Sequence, residues 1–218
     1  MEIDKSIGIF SYGRTGSQRV PNKMLRNFAN TTLVDILIDK LAAFNDQSFF
    51  GGYEQVFKEK CNRKNVQFIQ RSEKSTQIDG PITECISFIK ETNYKYLLLV
   101  NGCLPHLKVS TIKGFLTFVK ENHFKPATVI TKKNNYFFNK EKLPTNFSLS
   151  LKTLNTKKTE PIYEFSNALY FFDKEYFFKN GRYWDWEEVN FFEVSSKIEL
   201  LDVDTEDDFK IAEALWGI

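Results

Sequence analysis

Tyr96-Leu97-Leu98-Leu99-Val100 constrains this chain more than any other stretch. Five apolar residues without polar alternation suit a strand covered on both faces, as parallel sheets require. The surrounding sequence agrees, because short apolar strands alternate with amphipathic helices. Ile7-Gly8-Ile9-Phe10 is an apolar run, and Thr31-Thr32-Leu33-Val34-Asp35 starts a helix with Leu33, Leu37, Leu41 and Phe44 on one face and Thr32 as its cap. Ser48–Gly52 and Val66–Ile69 read as strands flanking a polar helix over Tyr53–Asn62. Pro81 opens a helix carrying Ile82, Cys85, Ile86 and Ile89. A helix with Ile112, Phe115, Leu116 and Val119, a strand at Ala127–Thr131, a strand at Ala168–Phe172 and a short helix at Lys174–Asn180 continue the series. The expectation is an open, mostly parallel, doubly wound α/β sheet, with its ligand crevice outside the strand carboxyl ends. The turns at Ser11–Lys23, Arg71 and Asn101–Pro105 meet there. One domain over residues 1–218 is expected from the length.

The first of those turns holds Gly13, Gly16 and Ser17 among the cations Arg14, Arg19 and Lys23. Glycines let a backbone turn and bring its N–H groups close to an anion, while the cations neutralise charge that N–H groups alone leave over. Pro21 stiffens the loop between Arg19 and Lys23. Ser17-Gln18-Arg19 follows Gly16, so this is not a Walker loop, and Gly13-x-x-Gly16 lacks the dinucleotide-binding spacing.

At the other end, Glu199-Leu200-Leu201-Asp202-Val203-Asp204-Thr205 reads as a strand running into a turn. Asp204 or Thr205 is placed to cap a last helix that buries Phe209, Ala212 and Trp216. Capping leaves Asp202 unexplained. In an extended segment it projects to the same side as Asp204, so two carboxylates converge at one strand end. Two oxygen ligands beside a phosphate clamp suit magnesium, with waters and phosphate oxygens completing its shell.

The whole string Gly13-Arg14-Thr15-Gly16-Ser17-Gln18-Arg19-Val20-Pro21-Asn22-Lys23 resembles the A-R-x-G-S-x-R-x-P-x-K-N loop of the acylneuraminate cytidylyltransferase family, with Met24 at the last position. Asp202-Val203-Asp204-Thr205-Glu206-Asp207-Asp208-Phe209-Lys210-Ile211-Ala212-Glu213 is similar to that family's closing motif. The resemblance implies a Rossmann-like nucleotidyltransferase that moves CMP from CTP to a nonulosonic or octulosonic acid for surface polysaccharide. By the same resemblance Gly13, Arg14, Gly16, Ser17, Arg19 and Lys23 hold the triphosphate, with Arg14, Lys23 and Asp204 catalytic. Asp202 and Asp204 bind Mg2+, and Arg71, Asn101 and Pro105 contact cytosine or ribose. Asn167 and Tyr170 touch the acceptor. The Lys132–Pro161 region, where Asn134–Phe138 and Phe147–Leu151 look like short strands, resembles the family's β-hairpin dimerisation arm, at about 132–163. A homodimer follows.

Composition narrows the rest. A formal net charge of +2, with 30 Lys and Arg scattered along the chain, excludes a nucleic-acid surface. Cys61, Cys85 and Cys103 form neither a disulfide framework nor a zinc set, and no run approaches a membrane span, so a cytoplasmic protein is expected. His106 and His123 read as surface residues. The aromatic run Gly181-Arg182-Tyr183-Trp184-Asp185-Trp186 reads as core or dimer contact ahead of a sugar pocket. Two alternatives stay open: an A-type glycosyltransferase with Asp202-Val203-Asp204 as its D-x-D motif, and a silent CTP-binding protein of the same fold.

Overall fold

The computed structural model describes residues 3–76 and 80–217. In chain order the elements are β1 (Ile7–Tyr12), β2 (Asn27–Phe28), β3 (Thr31–Thr32), α1 (Leu33–Ala42), β4 (Ser48–Gly52), α2 (Gln55–Arg63), β5 (Gln67–Gln70) and α3 (Ile82–Cys85). They continue with β6 (Tyr96–Val100), α4 (Val109–Glu121), β7 (Ala127–Lys133), β8 (Ile162–Asp173), α5 (Lys174–Asn180), β9 (Asn190–Glu193) and α6 (Glu206–Ala214). Seven of the described strands form one sheet in the order β5-β4-β1-β6-β8-β7-β9, with β2 and β3 paired separately. β8 runs antiparallel to both neighbours; the other pairings in the large sheet are parallel.

The apolar character of β6 has the expected cause. Leu97–Val100 are all buried, with Leu98 and Val100 facing α1 and α4 and Leu97 and Leu99 facing an aromatic layer of Phe10, Phe49, Phe88, Phe172 and Phe177. Phe10 and Phe49 stack at 5.4 Å, and Phe88 meets both edge-on. Several Phe side chains buried together, each worth about 2 kcal/mol on removal from water, give the second face a core with little contribution from long helices. Only Ile82–Cys85 of the helix expected after Pro81 is α-helical; Ser87–Glu91 tightens into a 3-10 turn that puts Phe88 and Ile89 inside.

Three regions differ from the sequence expectation. Asn134–Phe138 and Phe147–Leu151 form no strands. Phe138 and Pro144 make one isolated bridge, and the Asn146 side chain ties the segment together through Asn135 O, Phe137 N and Glu160 O, so local amide bonds replace a ladder. Glu199–Thr205 is not a strand either. A turn closes from Leu201 N to Ile198 O, and the extended residues after it bond through Val203 N to Cys103 O, a loop and not a sheet edge. β8 is longer than Ala168–Phe172, running twelve residues against β6 and β7. Its pairing with β7 jumps from Thr128↔Tyr170 to Val129↔Ser166, which leaves Asn167, Ala168 and Leu169 in a bulge. Among the described residues no helix is long and apolar enough to cross a membrane.

Candidate active site

A cleft of about 860 Å³ opens at the carboxyl ends of β1, β5 and β6. Arg14, Ser17, Arg19 and Lys23 line it together with Asp202 and Asp204, and Asn101, Gly102 and Cys103 at the end of β6 form its floor. Residues nearly two hundred positions apart are therefore neighbours. Arg19 Nη2 lies 2.8 Å from Asp204 Oδ1, and Lys23 Nζ lies 3.6 Å from the same oxygen while donating to Val203 O at 2.5 Å.

The loop achieves this differently from the glycine argument. Neither Gly13 nor Gly16 has a positive φ; the left-handed corner is Asn22 at φ 53°. Gly13 is needed for space, because a Cβ there would lie 2.9 Å from Phe50 Cζ. Gly16 faces open space and does not line the cleft. Glu54 accepts from both Thr15 N and Thr15 Oγ1, which fixes the loop tip. Arg14 Nη1 donates to Thr76 O at 2.9 Å.

Arg71 lines the cleft but is only 3% exposed. Its Nη1 donates to Gly13 O at 3.0 Å, its Nη2 donates to Ser75 O, and the guanidinium lies 5.0 Å from the Tyr12 ring. Two of its nitrogens are thus spent bracing the loop, and Nε is left without a partner. Pro105 is buried outside the cleft lining, and its carbonyl accepts from Lys40. Its expected contact with the nucleotide has no surface to act through.

Asn101 is the hub of the floor. Its Nδ2 donates to Asn167 O at 2.8 Å and reaches Asp202 Oδ2 at 3.4 Å, while its Oδ1 accepts from Cys103 N. Gly102 lets the turn lie on α1, since a Cβ would sit 2.6 Å from Leu37 Cδ2. Asn167, in the β8 bulge, and Tyr170, in register with Leu99, both line the cleft, and Tyr170 donates its hydroxyl to Asn167 Oδ1 at 2.9 Å. Tyr12, Leu99 and Tyr170 come from the same sheet face of β1, β6 and β8, and with Tyr183 they make an aromatic wall opposite α1. The run after Gly181 therefore splits: Tyr183 lines the cleft, Trp184 is core and Trp186 is 62% exposed. Tyr12 was not singled out from sequence, and the step of two from Phe10 was the available signal for it, whereas Tyr183 belongs to the aromatic run read as core or dimer contact ahead of a sugar pocket. His106 is neither free surface nor at the cleft: its Nε2 bonds Ala212 O and its ring lies on Trp216.

The acidic pair has an electrostatic signature. Asp202 Oδ1 is buried without a partner. Burial first, and then the Asp204 charge, push the Asp202 carboxyl up to about 6, against the opposing pull of Lys23. An orphaned buried carboxylate oxygen beside a second carboxylate is a donor set that fits a hard divalent cation. Among the described residues no three His, Cys, Asp or Glu side chains converge on a metal-sized point. Thr205, not Asp204, caps α6, in a capping box with Asp208, which leaves the Asp204 carboxylate to the cleft. Cys103 beside them is kept as a thiol, its proton held more tightly by burial.

The linkage sign is fixed by that shift. Folded Asp202 keeps its proton to about 6, whereas an unfolded one releases it near the ordinary 3.8. The metal-free protein is therefore expected to lose stability as pH rises across that window, by up to about 2 kcal/mol after allowance for solvent screening. Magnesium is expected to restore it above pH 6. Thermal melts across pH 4–8 with and without magnesium check both; a metal-independent, pH-flat melting temperature would count against the paired-carboxylate site.

Known proteins resemble the chain at the level of fold. The structure of CMP:2-keto-3-deoxy-manno-octonic acid synthetase complexed with CTP superposes with a TM-score of 0.69 at 12% identity, covering 96% of this chain and 97% of that one. A cytidylyltransferase from Leptospira borgpetersenii serovar Hardjo-bovis gives 0.59 at 15% identity, covering 96% and 85%. The 4-diphosphocytidyl-2C-methyl-D-erythritol synthase of Anaerococcus prevotii gives 0.64 at 12%, covering 95% and 94%. No curated protein matches the chain in sequence. Residues 12–215, from the last residue of β1 to just past α6, match the family described as Cytidylyltransferase. With the cationic loop and the acidic pair both inside that span, the chain belongs to the cytidylyltransferase family.

Proposed function

We propose that this enzyme transfers CMP from CTP to a hydroxyl of an acidic sugar, of the nonulosonic or octulosonic type, and releases pyrophosphate. One observation carries the reading: Arg19 and Lys23 meet Asp204 in a cleft that Asp202 also lines, with an unsatisfied oxygen. Arg14, Ser17, Arg19 and Lys23 hold the triphosphate, with Lys23 or Arg14 at the α-phosphate. An acceptor oxygen attacks the α-phosphorus in line, a new P–O bond forms, and the bond to the β-phosphate oxygen breaks on the opposite side. Positioning and charge neutralisation carry most of such a transfer. Asp202 and Asp204 would hold Mg2+, which supplies charge neutralisation at the reacting phosphates and the leaving group. Before that, Arg19 must release Asp204, and the triphosphate offers it a replacement anion. Asn101 contacts the cytosine or ribose, and Arg71, which also lines the cleft, holds the Gly13 carbonyl. Asn167 and Tyr170 face the acceptor.

In this reading the segment between β7 and β8 contacts a second copy of the chain. Phe138, Leu143, Leu149 and Leu154 stand 55%, 57%, 74% and 83% exposed along it. Sedimentation equilibrium should show a dimer that Leu149→Asp with Leu154→Asp converts to monomer; an unchanged mass would remove that segment from the interface.

The activity is tested by pyrophosphate release from CTP and magnesium on addition of sialic, legionaminic, pseudaminic or octulosonic acid, with a polyol phosphate as a chemically different acceptor. Release with the polyol phosphate alone would overturn the acidic-sugar assignment. Tight CTP binding without release across the panel would favour a silent binding protein, and sugar transfer from a nucleotide sugar would favour the glycosyltransferase.

A further inference from the structure

Lys40 is a buried cation that the mechanism above does not use. It sits in the last turn of α1, is 9% exposed, and has no carboxylate in ion-pair distance among the described residues. Its Nζ instead donates to Leu104 O at 2.7 Å and Pro105 O at 2.8 Å. These two residues follow directly on Asn101, Gly102 and Cys103, which form the cleft floor. From Cys103 the connection passes on: its carbonyl accepts from Val203 N at 2.9 Å, between the two candidate metal ligands.

The neighbouring charge is already engaged. Glu199 accepts from Lys108 N and Thr111 Oγ1 at the start of α4, so it secures the far side of the same loop. Burial draws the Lys40 pKa down to about 7, with the Glu199 charge as the opposing influence. A neutral amine still donates to two carbonyls, so the tether persists in either protonation state.

We infer that Lys40 is a positioning residue: by holding the Leu104 and Pro105 carbonyls it sets the height of the Asn101–Cys103 floor and, through the Cys103–Val203 backbone bond, the placement of Asp202 and Asp204. A buried ammonium without a carboxylate partner is a costly way to fill space, and an apolar chain of the same length would serve packing as well or better. What the apolar chain cannot do is hold the Pro105 carbonyl, or reinforce the Leu104 carbonyl, which also accepts from Leu107 N at 3.3 Å. Without the donor, the Pro105 end of the turn must move until water or another donor reaches it.

The inference rests on the magnesium–CTP reading, and the experiment separates the two. Calorimetry with magnesium and CTP is run on the wild type, on Lys40→Met and on Leu41→Ala, a core truncation one residue along α1 that serves as a stability-matched control. Lys40→Met is expected to weaken magnesium–CTP binding tenfold or more with a melting temperature no lower than that of Leu41→Ala, whose binding stays within twofold of wild type. Binding by folded Lys40→Met equal to wild type overturns the inference, as does an equal loss in Leu41→Ala, which would mark a general stability effect. No binding by the wild type overturns the underlying reading instead. If Lys40→Met does not fold, Lys40→Leu, a smaller apolar side chain that likewise lacks the donor, takes its place under the same criteria.

Discussion

Asp202→Asn is expected to lower turnover of magnesium–CTP on the order of 10³-fold while leaving the metal-free protein at least as stable as wild type. The two halves of that expectation share one cause. Asp202 is held in a place that disfavours its charge, with one oxygen unpaired and Asp204 nearby, so the native fold bears a cost for keeping a carboxylate there. Asparagine keeps the shape and a contact for Asn101 but removes the charge, so apo stability is retained or gained. The same change removes one of two anionic oxygens available to a cation, and charge-stabilising groups in phosphoryl transfer are worth roughly 10³ or more in rate. Steady-state pyrophosphate release paired with thermal melts reads both quantities. Asp204→Ala is expected to be as damaging to activity, and it frees Arg19 as well. Undiminished turnover in either variant would remove the metal role from the pair.

Lys23→Met is expected to lower kcat by about 10²–10³-fold, the usual loss when one preorganised donor to a developing charge is deleted. Lys23 is far better buried than Arg19, with a side chain 11% exposed against 69%. Charge in a shielded place acts more strongly than charge in water. Its removal has a second, separable effect. Lys23 is the strongest influence lowering the proton affinity of Asp202, so without it that carboxyl holds its proton to higher pH. The acid limb of the pH–rate profile should therefore move upward in Lys23→Met, whereas loss of Arg19, further from Asp202 in its effect, should move it less. A fall in kcat with an unmoved acid limb would leave Lys23 as a phosphate ligand with no hold on the acidic pair.

Much of the architecture was legible because burial is periodic. β6, β4 and α5 fall where the apolar pattern put them, and Thr32 caps α1 as read. Legibility failed where long-range partners decided the outcome. Glu199–Thr205 has the composition of a strand, but the nearest backbone available to it is the turn at Cys103. β9 was not foreseen, since four residues at a sheet edge with two of them exposed carry little pattern. Between β7 and β8, a single asparagine side chain at position 146 satisfied backbone groups that a hairpin ladder would otherwise have paired.

The order of residues by itself determined that cationic and acidic motifs stand at the two ends of an alternating strand–helix chain, because charge type, glycine spacing and apolar period are local properties. Only the tertiary structure decided which of those side chains are free to meet a ligand. Arg71 has two of its three nitrogens engaged by Gly13 and Ser75, Pro105 is turned inward with its carbonyl on Lys40, and Asp202 is left with an empty oxygen. Whether a polar atom is spent or spare depends on what the rest of the chain places within 3 Å of it, and contacts between segments distant in sequence have no local signature.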